Sequence, residues 1–256
     1  MDHKYIRSIK IEWEKTDPYV YYREIEALTS IKALDFEHNI TFFVGENGSG
    51  KSTLLEAIAV AYGFNPEGGS VNYNFSSKDT HTDLWKYLRI VKGIRKAKDG
   101  FFLRAESFYN VATQMEELAR TTVGGTMMDP GFLSGYGGKS LHHQSHGESF
   151  LAIVQNRFRG DGVYILDEPE AALSPQRQLT LLLYIAQLAK EGSQFIIATH
   201  SPILLGMPDA GIYSFDDNSV SPISYEDAEC YQVMEMFINH RQVILERLLN
   251  SEEEEI

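Results

Sequence analysis

Residues 45–53 read GENGSGKST, and no other stretch of the chain limits its fold as strongly. The run satisfies G-x-x-x-x-G-K-[ST] through Gly45, Gly50, Lys51 and Ser52. ITFFV at 40–44, β-branched and aromatic, precedes it, and STLLEAIAVAY at 52–62, apolar at helical spacing, comes after. A strand, a glycine turn and a helix in that order make a phosphate cradle. Glycines let consecutive backbone N–H groups curl around oxygens without Cβ clashes, and the helix N-terminus adds its positive dipole end. The expected binding residues are Gly45, Glu46, Asn47, Gly48, Ser49, Gly50, Lys51, Ser52 and Thr53. Lys51 would reach the terminal phosphates, the Ser52 hydroxyl would ligate Mg²⁺, and Thr53 would sit near the innermost phosphate. GGKS at 137–140 resembles the end of a second cradle, but Leu133 stands where its first glycine belongs and no strand precedes it.

The rest of the pattern supplies a sheet to carry the cradle. Strands are expected at 5–13, 40–44, 101–105, 163–167, 195–199 and 211–215, and helices at 52–62, 147–158, 175–190 and about 226–249. Residues 84–98 read as helical for much of their length, 110–120 as helix-like, and 65–82 and 121–140 as loop. Apolar strands alternating with amphipathic helices predict an α/β fold: a mainly parallel sheet with helices on both faces and a small helical insertion. The expected organisation is one domain over 1–256, with an inserted helical and loop lobe at about 70–145. The net charge of −13, part of it the run Glu252 to Glu255, argues against a surface that coats nucleic acid throughout. A single cysteine, Cys230, allows no internal disulfide framework, and the first residues show no apolar signal region. No apolar run approaches the roughly 18 residues of a membrane span, so the expected location is cytoplasmic, without direct membrane insertion.

Two further strands end in chemistry. VYILDEPE at 163–170 delivers adjacent carboxylates to the C-terminal edge of the sheet, where ligands collect. Asp167 is the expected metal ligand, through water, and Glu168 the general base for an attacking water. Adjacent acids at a strand end can also simply begin a turn. FIIATHSP at 195–202 brings His200 to the same edge, where an imidazole can hydrogen-bond a terminal phosphate; a structural histidine is the alternative.

This order of motifs resembles the ABC ATPases, over most of the chain. The resemblance implies ATP and Mg²⁺ as ligands, hydrolysis involving Lys51, Glu168 and His200, and a signature segment ahead of the acidic strand. Two spellings compete for it: LSGYG at 133–137 and QSHGE at 144–148. The second begins a helix and lies 22 residues before Asp167, so Ser145, Gly147 and Glu148 are the expected contacts, acting on ATP held by a second copy. That implies a homodimer closed by an ATP sandwich. The family's usual SALD reads AALS here, with Ser174 in the acid's place; Ser174-Pro175 also suits a helix start. Glu106 and Gln114 are the candidates for the glutamine loop, and Arg7, Tyr21 and Tyr22 are available to adenine.

GENGSGKST, DEPEAALSP, THSP and FFLRAESF together resemble small soluble bacterial AAA-family ATPases related to RecF, SMC and OLD heads. They imply an ATP-dependent dimeric switch with an unidentified protein partner, in DNA maintenance or defence. The alternative is the nucleotide-binding subunit of a membrane transporter. Only about 90 residues separate Thr53 from Ser145, too few for a long coiled-coil arm.

Two clusters stay open. His142, His143 and His146 lie beside the signature; zinc would need a consistent ligand set with a second shell, and the only cysteine is far away, so a polar loop or nucleotide-contact segment is the expected reading. Lys86, Arg89, Lys92, Arg95, Lys96 and Lys98, interleaved with Trp85 and Tyr87, form either a nucleic-acid contact or a solvated basic face.

Overall fold

The computed structural model describes residues 4–69, 82–104 and 146–250. Its centre is a six-stranded sheet in the order β5-β6-β7-β3-β8-β9, formed by β5 (Asp99–Arg104), β6 (Gly162–Asp167), β7 (Gln194–Ala198), β3 (Ile40–Val44), β8 (Gly211–Ser214) and β9 (Ser221–Ile223). All pairings are parallel except β8 with β9. Strands β3, β6 and β7 are buried along their whole length because both faces are covered. Along β3, Phe42 enters one core and Phe43 the other.

One face packs on α3 (His146–Arg157), α4 (Pro175–Lys190) and the short α5 (Pro202–Leu205). Pro175 occupies the first helical position of α4, where its missing N–H costs no hydrogen bond; Ser174 holds the N-cap position without a side-chain bond. The opposite face packs on α2 (Lys51–Tyr62), α1 (Glu26–Ser30) and a second, antiparallel sheet, β2-β1-β4. That sheet comprises β2 (Ala33–Asp35), β1 (Ile6–Ile11) and β4 (Leu88–Lys92). The cover on this side is therefore a helix layer and a small sheet together.

The expected helix over 84–98 is corrected by this sheet. Leu84–Lys86 is a single 3-10 turn, and Leu88–Lys92 is extended against β1. Leu88 is buried and Ile90 packs against the same core, so alternate residues of β4 face inward, a strand's period. Of the expected lobe at 70–145, the described stretch 82–104 is woven into both sheets as β4 and β5; residues 70–81 and 105–145, with the expected helix at 110–120, lie outside the described residues. The last described helix, α6 (Glu229–Asn250), has no buried residue and kinks at His240. No described helix is long and apolar enough to cross a membrane.

Candidate functional site

Register brings the expected residues to one edge. Phe43 of β3 pairs with Ala198 of β7, and Ala198 pairs with Asp167 of β6. The three strands therefore run out at the same level. Because β7 lies between β3 and β6, the chain beyond Ala198 emerges between the glycine turn and the acidic pair.

The turn itself has the backbone that phosphate binding needs. Gly45, Gly48 and Gly50 all have positive φ. At Gly45 a Cβ would come 2.9 Å from Asp216 Oδ1, and at Gly50 one would come 2.6 Å from Leu28 Cγ, so both positions exclude a side chain. A Cβ on Gly48 would meet nothing within 4 Å, which leaves the apex of the cradle open. Lys51 is buried, and its Nζ donates to the carbonyls of Gly45 and Glu46, each at 2.6 Å. Burial lowers its pKa, against the opposing pull of Glu168 and Asp216. An ammonium held by neutral carbonyls at the foot of an open glycine turn fits an anionic ligand above it.

Ser52 lies in the first turn of α2, and its Oγ donates to Asp167 Oδ1 at 2.9 Å. A hydroxyl and a carboxylate so placed, both oxygen donors, fit Mg²⁺. Glu168 has left-handed backbone (φ 50°, ψ 52°), a conformation that costs a non-glycine residue about 1–3 kcal/mol and turns its side chain out of the strand's alternation. Its Oε1 stands 3.8 Å from His200 Nε2. That ring nitrogen is buried and has no hydrogen-bond partner among the described residues. Next to this group is a cavity of about 600 Å³ lined by Gly45, Glu46, Asn47, Glu168, His200 and Asp216 together with Glu229, Cys230 and Val233 of α6.

Three side chains that the motifs did not single out hold this arrangement. Arg104, at the end of β5, places Nη1 2.6 Å from Glu56 Oε2 and Nε 3.4 Å from Asp167 Oδ2, tying the cradle helix to the acidic strand. Glu170 Oε1 accepts the His200 backbone N–H at 2.5 Å, and burial raises the pKa of this carboxyl. Asp216 Oδ1 accepts the Glu46 N–H at 3.0 Å, fastening the cradle to the loop after β8. Arg104 was present in the phrase FFLRAESF and Glu170 in DEPEAALSP, but only the fold shows what they face.

The signature candidates divide. Ser145 lies outside the described residues, as do the rival 133–137, Glu106, Gln114, His142 and His143; His146 begins α3, with its side chain outside the description. Gly147 is buried where a Cβ would come 2.7 Å from both Ala172 O and Arg177 Nη1. Glu148 pairs with Arg177 of the same chain at 2.9 Å. Tyr22 is fully buried with its hydroxyl on Asp83 Oδ1, Arg7 is exposed on β1 in the antiparallel sheet, and Tyr21 is 56% exposed. Tyr22 is thereby a core residue rather than an adenine contact.

Comparison with known proteins agrees with this architecture. Residues 22–123 match a family model described as "AAA domain", and residues 149–206 match one described as "AAA domain, putative AbiEii toxin, Type IV TA system". A "Putative ABC transporter ATP-binding protein" of Pyrococcus furiosus is 29% identical over 190 residues, 71% of each chain. The arabinose import ATP-binding protein AraG of Escherichia coli is 26% identical over 73% of this chain, which spans 40% of that relative's length. Among solved structures, the ATP-binding cassette of an ABC transporter in its ADP conformation superposes with a TM-score of 0.50 at 16% identity, over 94% of this chain and 97% of the other. These matches support an ABC-type P-loop ATPase that binds and hydrolyses ATP.

Proposed function

We propose that this ATPase is a dimeric switch whose two nucleotide sites are each completed by the partner copy. One observation carries the reading: Ser52, Asp167, Glu168 and His200 converge on an open cradle, while neither Gly147 nor Glu148 of the expected signature helix lines the cavity beside it on the same chain. Gly147 is packed onto Ala172 and Glu148 is paired with Arg177, so the helix is held as a rigid unit for presentation elsewhere. In this reading Lys51 and the cradle N–H groups bind the phosphates of ATP. Ser52 and Asp167 hold Mg²⁺, which neutralises charge on those phosphates. Glu168 takes the proton of the attacking water, and His200 donates through Nε2 toward the terminal phosphate. Ser145 and Gly147 complete the site of the other copy.

The test is complementation. Ser145→Arg and Lys51→Ala should each be inactive alone, and mixing them should restore one intact site per mixed dimer. Light scattering of Glu168→Gln with ATP and Mg²⁺ should show an ATP-dependent dimer, since a ligand that binds the dimer better than the monomer drives association. A monomeric, fully active enzyme with no complementation would overturn the proposal.

The names of the relatives favour a second reading, a nucleotide-binding subunit that serves a membrane transporter. Affinity capture of Glu168→Gln with ATP separates the two readings. Recovery of an integral membrane protein supports the transporter, and recovery of a soluble partner or DNA supports the switch in DNA maintenance or defence.

A further inference from the structure

A second cavity, of about 510 Å³, lies at the end of the sheet remote from the cradle. It is bounded by Asp99 and Gly100, where β5 begins, whereas Arg104, where β5 ends, belongs to the ATP site. At ~3.3 Å per residue the two sites are about 17 Å apart along this strand. Lys92 lines the cavity from the end of β4, Arg95, Lys96 and Lys98 from the connection between β4 and β5, Arg157 from the end of α3, and Tyr62 from the end of α2.

The expected basic segment divides here into two parts. Lys86 is paired with Asp83 and Arg89 with Glu12, so the first part is occupied by its own ion pairs. The second part is held in shape from behind. The Gly93 N–H donates to Tyr5 O, the Lys98 N–H donates to Asp161 O, and the Asp161 carboxylate holds Lys98 Nζ at 2.7 Å and Arg95 Nη2 at 3.4 Å. Arg157 rests 3.3 Å from Asp99. Asp99 is the one carboxylate among the residues that line the cavity, and with Asp161 behind them the five cations still leave a positive excess. Lys96 has no ion-pair partner among the described residues, and the Lys92 ammonium lies 4.9 Å from the centre of the Tyr62 ring.

Uncompensated cations usually spread into solvent. Here a loop pinned at both ends gathers them around a concave space large enough for a nucleotide-sized group. Carboxylate ligands would be satisfied by one arginine; several lysines and arginines at one cavity match the multiple oxygens and higher charge of a phosphate. We propose that this cavity is a second binding site, separate from the ATP site, for a phosphate-bearing ligand. Its phosphate is held by Lys92 and Lys96, and Arg95, Lys98 and Arg157 contribute field. The ligand is either a nucleic-acid strand or a free phosphate compound.

The experiment uses the full chain carrying Lys51→Ala, which removes phosphate binding at the cradle. Binding of a fluorescent single-stranded oligonucleotide is measured by anisotropy, and binding of inorganic pyrophosphate by calorimetry, at several salt concentrations. At least one probe should bind, and Lys92→Gln/Lys96→Gln should weaken it at least about tenfold, as expected when charged hydrogen bonds are lost. For the oligonucleotide the slope of log affinity against log salt should also fall by about 1.4, from two phosphate contacts of a single strand. Lys92→Arg/Lys96→Arg should bind nearly as the parent does, and the glutamine pair without Lys51→Ala should hydrolyse ATP at the wild-type rate, which establishes that it folds. Binding of the oligonucleotide alone identifies a strand, and binding of pyrophosphate identifies a small phosphate compound. Failure of both probes to bind, or binding unchanged by the glutamine pair, overturns the proposal.

Discussion

Arg104→Met tests whether the ATP site is held together from the edge of the sheet. The Arg104 side chain is 17% exposed, and those of Glu56 and Asp167 are 8% and 7% exposed, so the substitution takes the facing cation from two buried carboxylates, leaving Glu56 its Thr82 N–H and Asp167 its Ser52 hydroxyl. Removing one partner of a buried ion pair typically costs about 3–5 kcal/mol, because the remaining charge keeps its desolvation penalty and loses its compensation. Glu56→Gln should be milder, about 1.5–3 kcal/mol for a weakened charged hydrogen bond, since Arg104 still faces Asp167. The double variant has one buried carboxylate without its arginine instead of two. It should therefore be more stable than Arg104→Met alone, with a coupling of about 1–3 kcal/mol across the cycle. Denaturant unfolding of the four chains without nucleotide measures these differences. A cost below about 1 kcal/mol for Arg104→Met, or simple additivity of the two changes, would refute the argument that this arginine compensates both acids.

The same geometry sets further outcomes at three residues. Glu168→Gln should retain ATP affinity, measured by calorimetry, and lose about 10²–10⁴ in turnover if its carboxylate is the base. Glu170→Gln should keep an acceptor for the His200 N–H, whereas Glu170→Ala should lose it and with it at least about tenfold in turnover. Because burial raises the pKa of Glu170, the folded chain destabilises its charged form: stability is full below the ordinary value of 4.5 and falls as pH rises through the raised one. Glu170→Gln should accordingly melt above the wild type at pH 7, and the gap should close as pH falls to 4.5. Gly147→Ala places a methyl 2.7 Å from Ala172 O, a backbone atom that cannot swing away, and should cost about 1–3 kcal/mol in thermal unfolding.

Where local signals coincide, the chain is readable before it folds. Helix α4 spans Pro175–Lys190, the expected bounds, because Pro175 enforces the start and the amphipathic period carries on to the glycine at 192. β3, β6 and β7 are legible as continuous apolar runs beside motif residues. Residues 84–98 misled because their alternation covers only Leu88–Lys92, and regularly spaced cations imitate a helix face; partnership with β1, far away in sequence, decides the outcome. β2 and β9, three residues each, carry too little pattern to stand out. The cradle, Asp167, Glu168 and His200 are visible as types at spacings. Arg104, Glu170 and Asp216 are not, since an arginine or a carboxylate acquires its task from what lies across the sheet.

The position of Arg104 on β5 gives the site two levels of persistence. β3, β7 and β6 are interior strands, each with ladders on both sides, whereas β5, among the described residues, ends the sheet and is paired, apart from one bridge between Gly69 and Phe102, with β6 alone. Strands with one ladder open to solvent more readily than those with two. Amide protons of β5 should exchange with deuterium ahead of those in β3 and β7. Each such excursion would withdraw the guanidinium from Asp167 while the glycine turn and His200 stay in place. On gentle heating, Asp167 would then lose its anchor at temperatures where the glycine turn is still intact.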